Sequence, residues 1–281
     1  MKKGLILEGG AMRGLFSAGV TDVWMEHDIV FDGMIGVSAG AAFGCNYKSR
    51  QPGRTIRYNT KYVKDPRYCS VRSLLKTGNL YNADFCYHEL PSKLDLFDEE
   101  TFEKNEMEFY LVCTDVETGK PVYQKCEKAD YDLCEWIRAS ASMPLVSKVV
   151  ELDGYRLLDG GISDSIPLSY FESIGYTKNV VVLTQPESYV KKKNSLMPLM
   201  KAALRKYPKV VEALANRHVV YNQTTAYVRE KEKSGDALVI CPEEPLDIGR
   251  VERDEKKMWQ VYEYGRSVGL EKLEQVRAFL E

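Results

Sequence analysis

The chain has 281 residues, enough to bury a full core as one large α/β domain or two small ones, and one domain carrying insertions is the expectation. Its 39 Lys and Arg nearly balance 41 Asp and Glu; the net charge of −2 gives no global pull toward nucleic acid, so an anionic partner has to meet a local patch. Seven scattered cysteines with no C-x-x-C pair speak against structural zinc. With no cationic start leading into an apolar h-region, and no apolar run near ~20 residues, the expectation is a reduced, cytoplasmic protein that can touch the inner face of a membrane without crossing it.

In chain order, Gly4 to Leu7 is an apolar run read as a buried strand, and it leads into the glycine-rich turn Glu8-Gly9-Gly10-Ala11-Met12-Arg13-Gly14. From Leu15 the positions Leu15, Phe16, Ala18, Val20, Val23 and Trp24 recur at helical spacing, closed by Glu26, His27 and Asp28. A glycine-rich loop between strand and helix can cradle a phosphate or an oxyanion through its amides. Here Ala11 takes the place of the close-approach glycine of a dinucleotide fingerprint, and no Gly-Lys-Ser or Gly-Lys-Thr follows, which weakens both nucleotide readings.

Phe31 to Gly44 is the stretch that organises the rest. An apolar run ends in Gly36-Val37-Ser38-Ala39-Gly40 and passes into small, helix-compatible residues: a strand, a tight turn and a helix, with Ser38 at the tip. Gly36 and Gly40 have no Cβ and permit the strained bend, and the new helix offers unpaired N–H groups where negative charge on a reacting oxygen is stabilised. On spacing alone, an ordinary glycine-rich turn fits as well.

Arg50 to Arg72 interleaves Arg50, Arg54, Arg57, Lys61, Lys64, Arg67 and Arg72 with Tyr58, Tyr62 and Tyr68. It reads as a solvated helix before an Asp65-Pro66 turn, with a headgroup-binding surface as the second reading. Gly78 to Asn105 is irregular and acidic, an insertion or a surface helix. Glu108 to Asp115 is a buried strand, and Glu117-Thr118-Gly119-Lys120 turns it into a hairpin with Pro121 to Gln124. A helix over Tyr131 to Ala139 stops at Met143-Pro144.

Asp153-Gly154 joins Val149–Leu152 to Tyr155–Leu158 as a second hairpin, whose last strand runs straight into Asp159-Gly160-Gly161. Pro167 opens a helix through Gly175, and Asn179 to Thr184 is another buried strand. Strands alternating with helices imply a largely parallel sheet covered on both faces. Beyond Pro186, Leu196, Met197, Leu199, Met200, Ala203 and Leu204 alternate with Lys191, Lys192, Lys193, Lys201, Arg205 and Lys206. This basic amphipathic segment reads as a helix packed on the protein, with a lipid-contacting lid as the alternative. A long helix to Lys233, a strand over Ala237 to Cys241 and a charged helix from Val251 to Glu281 follow.

A serine hydroxyl needs a base to take its proton. His27 sits at the polar end of a helix, His88 in an acidic stretch and His218 inside a helix beside Arg217. His218 follows Ser38 and Asp159 in the chain order of an α/β-hydrolase triad, so that triad stays as an alternative. Asp159 is the stronger candidate because it ends a strand and two glycines present its carboxylate, although an Asp-Gly-Gly turn is also a common structural device.

Leu7-Glu8-Gly9-Gly10-Ala11-Met12-Arg13-Gly14, Gly36-Val37-Ser38-Ala39-Gly40 and Asp159-Gly160-Gly161 resemble, in that order, the three signature blocks of the patatin-like phospholipase family. Arg138-Ala139-Ser140-Ala141-Ser142-Met143-Pro144 and Ser163-Asp164-Ser165-Ile166-Pro167 also resemble that family's pattern, and the similarity spans about Lys3 to Thr184. The resemblance implies an α/β fold, a three-layer α/β/α sandwich with a mostly parallel central sheet. It also implies a serine–aspartate dyad without histidine. Ser38 is then the nucleophile, Asp159 the general base, and the amides around Gly9, Gly10 and Ala11 the oxyanion hole. Arg13 braces that loop, with Gly14, Gly36, Gly40, Gly160 and Gly161 in support. One departure is Ala11, which stands where the family usually has a third glycine.

The implied activity is that of a phospholipase A-like lipid acyl hydrolase working through an acyl-enzyme on phospholipid or another acyl ester, with no metal and no cofactor. Acyl transfer or thioester cleavage is the alternative within the same chemistry. Related acyl-carrier acyltransferases usually place His where this chain has Val37. A non-catalytic lipid-binding protein is a third class, against which Ser38, Asp159 and the glycine blocks argue. The expected division is a catalytic core over residues 1–185 and a mainly helical part over 186–281 packed on the same domain.

Overall fold

The computed structural model describes Met1 to Glu281. Its elements run β1 (Lys2–Leu7), α1 (Gly14–Glu26), β2 (Gly33–Val37), α2 (Ala39–Lys48), α3 (Arg54–Tyr62), α4 (Val71–Thr77), α5 (Glu99–Lys104), β3 (Glu108–Asp115), β4 (Pro121–Cys126), α6 (Tyr131–Ser140), β5 (Val150–Leu152) and β6 (Tyr155–Asp159). Then follow α7 (Leu168–Ser173), β7 (Tyr176–Val182), α8 (Met197–Ala203), α9 (Pro208–Ser234), β8 (Ala237–Ile240), α10 (Glu255–Glu271) and α11 (Leu273–Leu280).

The parallel strands β8, β7, β1, β2 and β3 lie side by side, and β4, β5 and β6 add antiparallel pairings around β3. Because side chains alternate along a strand, each strand feeds two cores. Leu5, Leu7, Met34, Phe109 and Leu111 pack with Phe16 and Trp24 of α1 and with Met258 and Tyr262 of α10. Ile6, Ile35, Val37 and Val112 pack on the other face with Phe171 of α7 and with Tyr221 and Val228 of α9. The result is the three-layer α/β/α sandwich with a mostly parallel sheet.

β3 acts as a ruler. Its residues Phe109 to Thr114 pair with β4, Glu108 to Val112 pair with β2, and Cys113 to Asp115 pair with β6. A strand has only two edges, so β2 and β6 must follow one another end to end along the edge that β4 leaves free. Val37 is the register partner of Val112, and Asp159 the partner of Cys113, the next residue along. Ser38 and Asp159 are therefore brought together by main-chain register, although 121 positions separate them.

α10 lies against α1 at backbone contact distance. A Cβ at Gly19 would fall 2.1 Å from the Tyr262 carbonyl oxygen, and one at Gly265 would fall 2.1 Å from that of Phe16. Trp24 seals the pair by donating from Nε1 to the Gly269 carbonyl at 3.2 Å.

Two sequence readings need correction. Arg50 to Arg72 is not a solvated helix: Arg54, Tyr58, Asn59 and Tyr68 are buried, since Arg54 has Asp95 and Asn46 to neutralise and bond it. Gly78 to Asn105 holds the largely exposed helix α5, and its widely wound turn Asp84–Leu94, in which Pro91 has no N–H to close a regular helix, turns Tyr87 and Leu90 toward the cavity. The C-terminal helix is two helices, broken at Lys272. The basic segment after Pro186 packs through Met197 and Leu204 while leaving Leu196 and Leu199 half-exposed.

Candidate active site

Ser38 follows β2 with φ of 55° and ψ of −120°, a left-handed conformation that strains a non-glycine residue by roughly 1–3 kcal/mol. The surroundings enforce it. Ser38 N–H donates to Ser140 Oγ at 2.9 Å, and Ser140 Oγ donates to the Val112 carbonyl at 2.6 Å. Gly36 and Gly40 let the turn close, since a Cβ on Gly36 would meet the Gly40 oxygen at 2.4 Å and one on Gly40 the Leu7 oxygen at 2.3 Å. Ser38 Oγ thereby points at Asp159 and donates to its Oδ2 at 2.6 Å.

Asp159 is held on every side. Its Oδ1 accepts from Gly161 N–H at 2.8 Å, its carbonyl accepts from Thr114 Oγ1 at 2.8 Å, and its N–H reaches the Ser142 carbonyl at 2.9 Å. Gly160 is obligatory there because a Cβ would lie 2.1 Å from the Val112 oxygen. Burial pushes the Asp159 carboxyl above its usual range, against the opposing pull of the Ser38 hydrogen bond, the Arg217 charge, the Gly161 amide and the Arg250 charge. A carboxylate of raised pKa is a better proton acceptor than an exposed one.

The glycine-rich turn after β1 runs beside Ser38, with the site of a Gly9 Cβ only 3.0 Å from Ser38 Cβ. The amides of Gly9, Gly10 and Ala11 donate to no carbonyl or side chain of the protein, and Ala11 holds φ of 51°. Glu8 pins the turn: its Oε2 accepts from Thr184 N–H at 2.6 Å and its Oε1 from the Tyr221 hydroxyl at 2.6 Å. Arg13, expected as the brace, makes no side-chain hydrogen bond to the loop; only its main-chain N–H reaches the Gly10 carbonyl, at 3.2 Å. Gly14 lies against α2, facing Ala39 and Phe43.

Ser38 also lines a largely apolar cavity of about 150 Å³, walled by Phe43, Tyr58, Tyr87, Leu90 and Ile137, with Ala11 at the Ser38 end. Ser38 and Asp159 bond directly, and none of the three histidines hydrogen-bonds either one. His88 pairs with Glu135 at 2.9 Å, His27 bonds the Val23 carbonyl, and His218 has a buried Nδ1 without a partner. No three His, Cys, Asp or Glu side chains converge as metal ligands would.

This geometry coincides with a family profile. The profile described as patatin-like phospholipase matches residues 5–172, more than half of the chain. The chain belongs to the patatin-like phospholipase family. A second profile, a domain of unknown function (DUF6363), matches residues 207–281. Among relatives, the uncharacterized protein YjjU of Escherichia coli is 32% identical over 65% of this chain and 52% of its own length. The patatin-like phospholipase domain-containing protein ZK370.4 of Caenorhabditis elegans is 25% identical over 61% of this chain and 13% of its own. The chain thus spans about half, or less, of these relatives. The crystal structure of VipD from Legionella pneumophila overlaps with a TM-score of 0.48 at 10% identity, covering 98% of this chain and 67% of that one.

Several residues of this patatin-like site escaped sequence reasoning. Ser140 lay in a stretch that already resembled the family, and a hydroxyl at the last position of α6, inside the small-residue run Ala139 to Ser142, was the available signal. Thr114 and Arg217 gave none, and Glu8, though part of the first signature block, gave no sign of its role, because each acts through a partner at least 45 positions away.

Proposed function

We propose that the chain is a lipid acyl hydrolase that uses Ser38 and Asp159 as a dyad. The carrying observation is the 2.6 Å bond from Ser38 Oγ to Asp159 Oδ2 at the end of an apolar cavity, beside three unengaged amides. Asp159 accepts the hydroxyl proton as Ser38 Oγ attacks the ester carbonyl. The amides of Gly9, Gly10 and Ala11 meet the developing oxyanion, each such donor being worth about 3 kcal/mol. The protonated Asp159 gives its proton to the leaving alcohol, and the same carboxylate then activates the water that cleaves the acyl-enzyme. The cavity takes the acyl chain.

Residues 1–185 form the catalytic core in this reading and 186–281 complete it. β8 extends the sheet, and α9 delivers Tyr221 to Glu8. Seven unpaired cysteines fit a reducing, cytoplasmic setting. No helix is long and apolar enough to cross a membrane, and the exposed Leu196 and Leu199 among lysines suit contact with a lipid surface.

The test is hydrolysis of a chromogenic medium-chain ester by Ser38→Ala, Asp159→Asn and His218→Ala proteins, with fluorophosphonate labelling of Ser38. Loss of turnover in the first two, and its survival in the third, is the expected result. Loss in His218→Ala would return the triad.

A further inference from the structure

Four cations lie near Asp159 without lining the cavity: Arg217 and Arg250 act on the Asp159 carboxyl, and Arg217, Arg13 and Arg250 act on Lys191. Arg13 follows the glycine turn, Lys191 lies in the segment after β7, Arg217 is on α9, and Arg250 is in the exposed segment after β8. On α9, Arg217 falls between Leu214 and Tyr221 on the stripe that faces the sheet. Its Nη2 stands 2.9 Å from where a Gly161 Cβ would lie, and Asp159 Oδ1 stands 3.0 Å from that same point. Lys191 Nζ lies 4.0 Å from the centre of the Tyr221 ring, whose hydroxyl bonds Glu8.

These cations have no anion of their own. Glu8 is occupied by Thr184 and Tyr221, and Asp159 by Ser38 and Gly161. None of the four forms an ion pair within 4.0 Å, whereas Arg54, Arg57, Arg138, Arg229 and Arg266 all do. Arg13 Nε and Arg217 Nε are buried N–H donors with no acceptor at all. Buried donors left open beside a reacting centre are costly unless something outside the chain satisfies them.

We propose that Arg13, Lys191, Arg217 and Arg250 form a phosphate-binding subsite that selects esters carrying an anionic phosphate headgroup next to the scissile bond. This rests on the hydrolase reading: the acyl chain enters the apolar cavity from one helical layer, and the phosphate meets cations drawn largely from the other. The guanidinium forks of Arg13 and Arg217 suit phosphate oxygens, and Lys191 adds a point charge. Three of the four cations come from residues outside the matched patatin-like segment, so the selectivity belongs to the C-terminal part of this chain.

The binding test uses Ser38→Ala protein, which holds ligand without turning it over. Titration calorimetry should show sn-glycerol 3-phosphate binding where glycerol does not, and Lys191→Gln/Arg217→Gln should weaken that binding about tenfold or more. In the protein with Ser38 intact, kcat/KM for 1-acyl lysophosphatidic acid divided by kcat/KM for the matching monoacylglycerol should fall by a similar factor on the same double change, mainly through KM. Arg250→Gln, at an exposed position that keeps the fold intact, should move the ratio in the same direction.

Inorganic phosphate should compete with lysophosphatidic acid; phosphate that binds without inhibiting hydrolysis would mean a separate effector site and would overturn the substrate role. Glycerol 3-phosphate binding no better than glycerol, or an unchanged ratio, overturns the proposal outright. An enzyme inert toward every ester, yet binding glycerol 3-phosphate through these residues, would refute the hydrolase reading and leave the subsite standing.

Discussion

Two groups of basic side chains flank Ser38, and they differ in the company they keep. In the cavity wall Arg54 bonds Asn46 and the Asp95 carbonyl, and Arg138 pairs with Glu135; behind Arg54, Arg57 grips the Asp95 carboxylate at 2.7 and 2.8 Å. Arg13, Lys191, Arg217 and Arg250, which do not line the cavity, have no such partner. The first group is already neutralised and serves the fold, while the second keeps its charge available to a molecule that arrives from outside.

The sharpest break in that contrast lies at the boundary between the groups. Ser38→Ala and Asp159→Asn should each lower ester turnover by about 10³-fold or more, measured as initial rates on a short-chain ester. Removing the Asp159 charge should also raise the melting temperature at neutral pH. Its carboxyl is held above the usual range, so its ionisation costs stability once pH exceeds the unfolded-state value, and that cost is absent in more acid solution. For the same reason the acid limb of kcat/KM should sit above the ordinary carboxylate range.

The next effect separates the groups directly. Asp95→Ala strips Arg54 of its countercharge in the interior and should destabilise the fold by about 3 kcal/mol in denaturant titrations. Arg217→Gln should cost far less, because its Nε has no acceptor to lose and it repels Lys191, which offsets the charge it withdraws from Asp159. A comparable loss in both would show that the contrast is mistaken.

Asp22 offers the mirror case, a buried carboxylate with no cation hydrogen-bonded to it. It accepts from the Tyr262 hydroxyl at 2.6 Å and Gly53 N–H at 2.7 Å, and burial raises its pKa to about 6. A raised carboxyl pKa contributes stability below the unfolded value near 4 that is lost as pH climbs through 6. Asp22→Asn should therefore be stabilising at pH 7, by up to about 3 kcal/mol, and neutral near pH 4.

The smallest effect is the pH dependence of anion binding. Burial first, then the positive charges of Arg217, Arg13 and Arg250 against the opposing pull of Glu8, bring Lys191 down to about 8. It is charged below that value and neutral above it, so glycerol 3-phosphate affinity measured from pH 7 to 9 should decline several-fold across pH 8.

The strand, turn and helix around Ser38, the strand Glu108–Asp115 and the hairpin at Asp153-Gly154 were legible in the sequence because each is written in local terms: apolar runs and turn residues with a fixed backbone demand. Arg54 was misread because what buries it is Asp95, 41 positions on. Asp84–Leu94 was illegible because a turn wound around Pro91 has no regular period to detect. The unpaired cations left no signature either. They come from four separate segments, and a missing partner cannot be seen until all the partners are placed.

The end-to-end seating of β2 and β6 along β3 has a consequence for how such a protein can diversify. Nucleophile and base are spaced by a hydrogen-bonded ladder rather than by the packing of their own side chains. The walls of the cavity and the cationic rim belong to segments outside that ladder, so they can be exchanged for ones fitting other lipids while the reacting pair keeps its distance.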